Sequence, residues 1–329
     1  KAIIAIHNTV LGPALGGTRM WNYASEAEAI TDVLRLSRGM TFKAAISGLN
    51  IGGGKAVLIG DPKLKNEAYL RRFGRFINSL GGRYITAEDV NMKTSDMEYI
   101  AMETKYVTGL PEVRGGGGDP SPVTAYGTYL GMKAAAKKAY GSDNLEGKKI
   151  AVQGIGQVGK YLVEYLVKEK AQVFITDIFE DRLKQVSKET GATVVDPSVI
   201  YDIDMDIYAP CELGATVNDQ TIDRLKCQVI AGAANNQLQD EEKHGKILLE
   251  KGITYAPDFL INAGGLINVY AEFVGGYNRD LTYKHAEKIY DICTAILDKS
   301  ERENIPSQQA ATEMAWNRIE AMGKVKLPY

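Results

Sequence analysis

Lys55 follows three consecutive glycines, Gly52, Gly53 and Gly54, and precedes the apolar run AVLIG. Most lysines are solvated surface charges. Here bare backbone on one side and an apolar stretch on the other direct the stem of the side chain into the protein. Burial disfavours an ammonium, and so does a second cation, for which Lys43 is the candidate. Bringing a lysine from about 10.4 to the ~7–8 that suits a general base takes roughly 4 kcal/mol of such destabilisation. Lys43 could supply part of it and also grip a carboxylate, and Asp89, in TAEDV, completes this first constellation.

A second constellation is Gly154-Ile155-Gly156-Gln157-Val158-Gly159, a G-x-G-x-x-G run placed directly after KIAVQ and opening a helix. Alone it could be an ordinary strand-to-helix turn. Asp177, however, closes the next apolar strand, QVFITD, eighteen residues after Gly159, which completes a dinucleotide fingerprint. Gly154 permits the tight turn, Gly156 lets backbone amides approach a pyrophosphate, and Gly159 lets helix and strand pack closely. The helix N-terminus attracts the phosphates. An acid at Asp177 holds the adenine ribose hydroxyls and repels a 2′-phosphate, so NAD is expected over NADP.

These residues need elements to hold them. Ala2 to Ile6 has strand length, and Ser25 with Glu28 forms a capping box for a helix carrying Ile30, Val33 and Leu34, expected to end near Gly39. Ala56 to Ile59 reads as a strand that follows the glycine run. A helix after Asn66 carries Leu70, Phe73 and Ile77, Tyr84 to Val90 reads as a strand, and Ser95 with Glu98 caps the next helix. Gly115 to Pro122, which contains GGGGDPSP, suits no regular element and marks a domain boundary. Ser121 as N-cap and Pro122 as first helical residue then open a long helix. From Lys148 the chain alternates strand and helix through KIAVQ, QVFITD, ATVV, DIYAP, QVIAG and ITYAP, the pattern of a mostly parallel, doubly wound sheet. After about Arg279 two helices follow, broken at Ile305-Pro306 with Ser307 as the second N-cap, and they are expected to return to the first domain.

Composition sets the outer bounds. The 329 residues suit two domains with a cleft, and 39 Lys plus Arg against 41 Asp plus Glu leave no single-sign field for a nucleic acid or an anionic membrane. No apolar run approaches the roughly 20 residues of a membrane span, and the first residues lack the layout of a signal peptide. Cys211, Cys227 and Cys293 are dispersed without CxxC spacing, as are His7, His244 and His285. That pattern suits reduced thiols in the cytoplasm and no metal site.

Seven segments in order, GPALGGTRMW, RGMTFKAA, GGGKAVLIGDP, RYITAEDV, SPVTAYG, AGAANNQL and INAGGLINV, resemble the glutamate/leucine/phenylalanine/valine dehydrogenases over nearly the whole chain. The resemblance implies a two-domain α/β enzyme: residues 1–121, joined by 301–329, for substrate binding and oligomerisation, and 122–300 as a Rossmann-type NAD domain. It implies a homo-oligomer, anywhere from dimer to octamer, and a further N-terminal stretch ahead of Ala2. It implies that Lys43 and the backbone around Gly16 and Gly17 bind the substrate α-carboxylate, with Met40 lining the same pocket. Lys55 would act on the water that attacks an imine, and Asp89 would relay protons to and from nitrogen. Thr124, Asn235 and Asn236 would orient the nicotinamide and the amine. Thr124 as a helix polar residue, Asn235 as a turn residue and Asp89 as a capping carboxylate remain structural alternatives.

Glutamate-specific relatives place a lysine where Leu15 stands and a serine where Val269 stands. Without those partners a buried side-chain carboxylate is penalised by at least several kcal/mol. Leu15, Ala87, Leu266 and Val269 instead suggest an apolar pocket, and oxidative deamination of leucine and other branched-chain L-amino acids is the expectation. One methylene is worth only about 1–3 kcal/mol, so valine and isoleucine should overlap with leucine. An aromatic amino acid is the alternative substrate, and an NAD-binding protein without catalysis is the alternative of another class.

Overall fold

The computed structural model describes residues 1–325, which fall into two compact units. The first contains Lys1–Asp119, Leu266–Thr282 and the chain from Ala315 onward; the second contains Pro120–Gly265 and Tyr283–Met314.

The first unit begins with strands β1 (Ala2–Asn8), β2 (Ala14–Leu15) and β3 (Thr18–Trp21) and helix α1 (Glu26–Ile46). Strand β4 (Gly52–Ile59), helix α2 (Glu67–Ser79), strand β5 (Tyr84–Ile85) and helix α3 (Thr94–Ala101) follow. The sheet runs β1-β4-β2-β5 with β3 also on β4, and only β1 is antiparallel to its neighbour. Alternation along β4 separates two cores. Ala56 and Leu58 join Leu70, Phe73 and Ile77 of α2 and Met97 and Ile100 of α3. Val57 joins Ala29 and Val33 of α1 on the opposite face. Lys55 shares the α1 face with Val57.

Several local expectations change here. Helix α1 does not stop at Gly39 but continues to Ile46, because Thr41, Phe42, Ala44, Ala45 and Ile46 are buried. That packing outweighs the roughly 1 kcal/mol a helical glycine costs. The glycine run does not precede β4 but lies inside it. A Cβ at Gly53 would overlap the Thr41 backbone, so helix and strand meet there at main-chain distance. The segment after Tyr84 is a strand only to Ile85, followed by single bridges of Thr86 to Val107 and Glu88 to Thr18. Helix α3 is opened by Lys93, whose backbone N–H donates to Asp96 Oδ2 at 2.9 Å, in place of Ser95 with Glu98.

Helix α4 (Ser121–Tyr140) opens the second unit with Ser121 already inside it and Pro120 at the cap position, one residue earlier than expected. Then come β6 (Lys149–Gln153), α5 (Gln157–Lys168), β7 (Gln172–Thr176), α6 (Glu180–Thr190), β8 (Thr193–Val194) and β9 (Ile207–Pro210). Strand β10 (Val229–Ile230), α7 (Glu241–Glu250), β11 (Thr254–Tyr255) and α8 (Asp258–Ile261) complete it. The six strands form one parallel sheet in the order β11-β10-β9-β6-β7-β8. Its winding reverses between β6 and β9, as in the doubly wound sheet expected.

Helix α9 (Gly264–Phe273) leads into the segment that rejoins the first unit. The anchor is Glu272, whose carboxylate accepts from the backbone N–H groups of Gly109 at 2.9 Å, Leu110 at 3.3 Å and Gly117 at 3.2 Å. Helices α10 (Arg279–Glu303) and α11 (Ser307–Val325) close the chain. The tail differs from expectation, because its part up to Met314 stays with the second unit. Ser307 donates its hydroxyl to Tyr255 O at 2.6 Å, and farther on Arg318 donates to Leu49 O at 2.8 Å within the first unit. Among the described residues no helix is long and apolar enough to cross a membrane.

Candidate active site

A row of alternating charges runs along the α1 face of the first unit. Lys55, buried in β4, donates to Asp89 Oδ1 at 2.5 Å. The other oxygen of Asp89 accepts from Arg19 Nε on β3 at 2.9 Å. Arg19 Nη1 reaches Asp32 Oδ2 on α1 at 3.1 Å, and the same oxygen accepts the Tyr23 hydroxyl at 2.7 Å. Burial would push the Asp89 carboxyl up, but the Lys55 ammonium and the Arg19 guanidinium win and hold it well below the usual carboxylate range. Arg19, Asp32 and Tyr23 are the residues that sequence reasoning missed. Arg19 and Asp89 are 70 positions apart, and the one available signal was the alternation that puts Arg19, opposite Val57, on the Lys55 face.

A depressed folded-state pKa stabilises the fold at pH values above the unfolded value, about 3.9, and that stability is lost as pH falls. Arg19→Gln should therefore destabilise the protein by about 2 kcal/mol at pH 7, the order of one hydrogen bond to a charged group, because Asp89 keeps Lys55. The deficit should shrink only well below pH about 4, as Asp89, which in the variant keeps Lys55 but has lost Arg19, takes up a proton before it does in wild type. Urea unfolding at neutral and acid pH measures it, and a deficit that does not change with pH would remove Arg19 as the counter-ion of Asp89.

Gly16 and Gly17 lie between Lys55 and Asp89 in the packing. A Cβ at Gly16 would overlap Gly54 O, and one at Gly17 would overlap Glu88 O and come within 2.9 Å of Asp89 Cβ. Their evident contribution is space, since the Gly16 amide already donates to Ile85 O at 3.1 Å. Met40 and Lys43 are half-buried and flank Thr41, the residue that meets Gly53. Leu15 on β2 and Ala87 after β5 are buried, as is Leu266 on α9, and Val269 is half-buried; all four belong to the first unit.

The fingerprint residues belong to the second unit. Gly154 adopts φ 95°, a left-handed conformation that favours glycine. A Cβ at Gly159 would overlap Gly154 O, whereas one at Gly156 would meet nothing within 4 Å. That open side is where a pyrophosphate can approach the amides of Gln157 and Val158, since Gly156 provides no side-chain cap for α5. Asp177, buried at the end of β7, accepts from Ile155 N at 2.9 Å and Phe179 N at 3.0 Å. The arrangement fits a dinucleotide. Thr124, in the first turn of α4, donates to Pro120 O at 3.0 Å, and a Cβ at Gly265 would come within 3.1 Å of its hydroxyl. Asn235 accepts from Asn262 Nδ2 at 2.8 Å, and Asn236 takes φ 52°. Among the described residues no cluster could hold a metal ion.

Comparison with known proteins agrees with this architecture. A family model described as the Glu/Leu/Phe/Val dehydrogenase dimerisation domain matches residues 1–106. One described as Glutamate/Leucine/Phenylalanine/Valine dehydrogenase matches residues 115–178 and 175–326. Leucine dehydrogenase of Thermoactinomyces intermedius is 58% identical, over 99% of this chain and 89% of that protein. That of Geobacillus stearothermophilus is 57% identical, over 100% and 89%. The crystal structure of L-tryptophan dehydrogenase from Nostoc punctiforme shares the fold with a TM-score of 0.87 and 46% identity, covering 99% of this chain and 93% of that one. The chain belongs to the glutamate/leucine/phenylalanine/valine dehydrogenase family, as its motifs implied.

Proposed function

We propose that this protein catalyses the reversible, NAD-dependent oxidative deamination of L-leucine and other branched-chain L-amino acids. The observation that carries the reading is the pair of buried Lys55 with half-buried Asp89, held in place by Arg19. Surface chemistry does not require such a pair to be desolvated. The leucine dehydrogenases that match at 57–58% identity support leucine over the aromatic substrate of the 46% relative.

NAD, when bound, accepts a hydride from the substrate Cα. Gly154, Gly156, Gln157, Val158 and Gly159 would hold its pyrophosphate and Asp177 its adenine ribose. Thr124, Asn235 and Asn236 would orient the nicotinamide. Lys43 would pair with the substrate α-carboxylate, beside Met40, while Leu15, Ala87, Leu266 and Val269 receive the alkyl side chain. Asp89 first takes a proton from the substrate ammonium, so that the amine is neutral when the hydride leaves. Loss of the hydride leaves an iminium carbon. Lys55 then takes a proton from the water that adds to the iminium. Asp89 returns its proton to the carbinolamine nitrogen, which leaves as ammonia as the hydroxyl proton passes to solvent and the 2-oxo acid forms. Substrate entry must loosen the 2.5 Å Lys55–Asp89 contact, because the water has to reach Lys55 and the nitrogen Asp89.

The match of residues 1–106 to a dimerisation domain supports a homo-oligomer, and the three free cysteines suit the reducing cytoplasm. The test is NADH formation across a panel of amino acids. Leucine, valine and isoleucine should be oxidised with comparable efficiency, and glutamate at least about a hundredfold less efficiently. No NADH with any amino acid would end the reading, and a preference for phenylalanine or tryptophan would move it to the aromatic class.

A further inference from the structure

The glycine turn of the second unit has an acidic residue on each side. Asp177 leaves β7 and accepts from Ile155 N at 2.9 Å. On the other flank β9 pairs with β6 so that Pro210 stands opposite Gln153, and Cys211 N donates to Gln153 O at 2.7 Å. The next residue, Glu212, lies against the turn itself. A Cβ at Gly154 would come within 2.6 Å of Glu212 Cβ and 2.8 Å of Glu212 N. Its carboxylate accepts from Gln153 Nε2 at 2.5 Å, and that amide is held in turn by the hydroxyls of Tyr201 and Tyr208. Strands β7 and β9 are the two neighbours of β6, so both acids stand at the carboxyl ends of strands beside the glycine turn, and Glu212 is on the side where the winding reverses, the place where doubly wound sheets bind ligands.

We propose that Glu212 is a second carboxylate of the cofactor site, which with Asp177 opposes a phosphorylated ribose and so sets the preference for NAD over NADP. This rests on the reading of the glycine turn as a dinucleotide site. Arg182 is a cation beside Asp177, 3.4 Å from it and stacked over Phe179 at 4.8 Å. Against two carboxylates it leaves the surroundings of the turn negative. Burial pushes the Glu212 carboxyl up, the Gln153 hydrogen bond opposes it, and the nearby Asp177 adds to the push. Cys211, a titratable neighbour, is a thiol pushed up to about 12 by burial, and burial likewise pushes the Tyr208 hydroxyl up, so neither carries a charge near neutral pH. A 2′-phosphate adds roughly two negative charges to this place, where a dinucleotide without it brings only its pyrophosphate. The additional repulsion from one carboxylate within a Debye length, about 8–10 Å, should be worth several-fold in affinity.

The experiment measures dissociation constants of NADH and NADPH by fluorescence titration, with wild type, Glu212→Gln, Glu212→Ala and Asp177→Ala. Glu212→Gln should tighten NADH about threefold and NADPH at least about tenfold, with the difference shrinking as salt rises. Glu212→Ala should do the same, which guards against a Gln that rearranges the Gln153 contact. Asp177→Ala should weaken NADH and narrow the preference, because it removes a ribose acceptor together with the charge. If both Glu212 variants treat the two cofactors alike, or if NADH binds them more weakly, the proposal is overturned. Failure of wild type to bind either dinucleotide would instead remove the underlying reading of the site.

Discussion

Lys55→Ala is expected to lower kcat at least about a thousandfold while NADH affinity stays within a fewfold of wild type. General base catalysis contributes typically 10²–10⁴, and this lysine is asked to activate the water on which carbon–nitrogen cleavage depends. The cofactor arm follows because Lys55 is not one of the fingerprint residues Gly154 to Gly159 and Asp177. The substitution should not unfold the protein, since Asp89 keeps Arg19 as its partner at 2.9 Å. Stopped-flow turnover beside NADH titration separates the two effects. Turnover within tenfold of wild type would exclude Lys55 as the base.

The second large effect is expected in the side-chain pocket. Leu15→Lys with Val269→Ser should lower kcat/KM on leucine at least about a hundredfold and produce measurable oxidation of glutamate. Leu15 is 1% exposed, so an ammonium there is costly until a substrate carboxylate neutralises it. The loss on leucine is the firmer half, because gain on glutamate also needs the new lysine and serine to converge on one carboxylate. Circular dichroism and the melting temperature establish that the double variant is folded. A folded variant that handled leucine as well as its parent would show that Leu15 and Val269 do not contact the substrate side chain.

What the sequence made legible depended on how local the cause was. The fingerprint could be read outright, because its glycines, its helix and Asp177 lie within one strand–helix–strand stretch. The parallel sheet followed from apolar strands spaced by helices. Gly39 misled because glycine is a local stop signal, whereas the continuation of α1 is decided by what Thr41 and Phe42 bury against. Tyr84 to Val90 looks like one strand, but the chain leaves the ladder after Ile85, and the bend carries Glu88 and Asp89 past Gly17. Arg19 was invisible for a similar reason. Nothing in TRMW announces that its guanidinium joins a helix carboxylate to a loop carboxylate. The return of Leu266–Thr282 to the first unit was equally hidden, since it depends on one half-buried acid, Glu272, and three amides far away in the chain.

The placement of glycines in β4 bears on how steadily the reacting groups are held. Gly52, Gly53 and Gly54 pack against Asn8, Thr41 and Tyr84 respectively, three separate elements that converge on three successive residues of one strand. A side chain can change rotamer in picoseconds to nanoseconds, whereas main chain wedged on several sides moves only when the whole neighbourhood opens. Amides along this stretch should therefore be among the last of the first unit to exchange with deuterium. Lys55 grows from that stiff segment, so the entropy of fixing its attachment point is already lost on folding and is not charged again to each turnover.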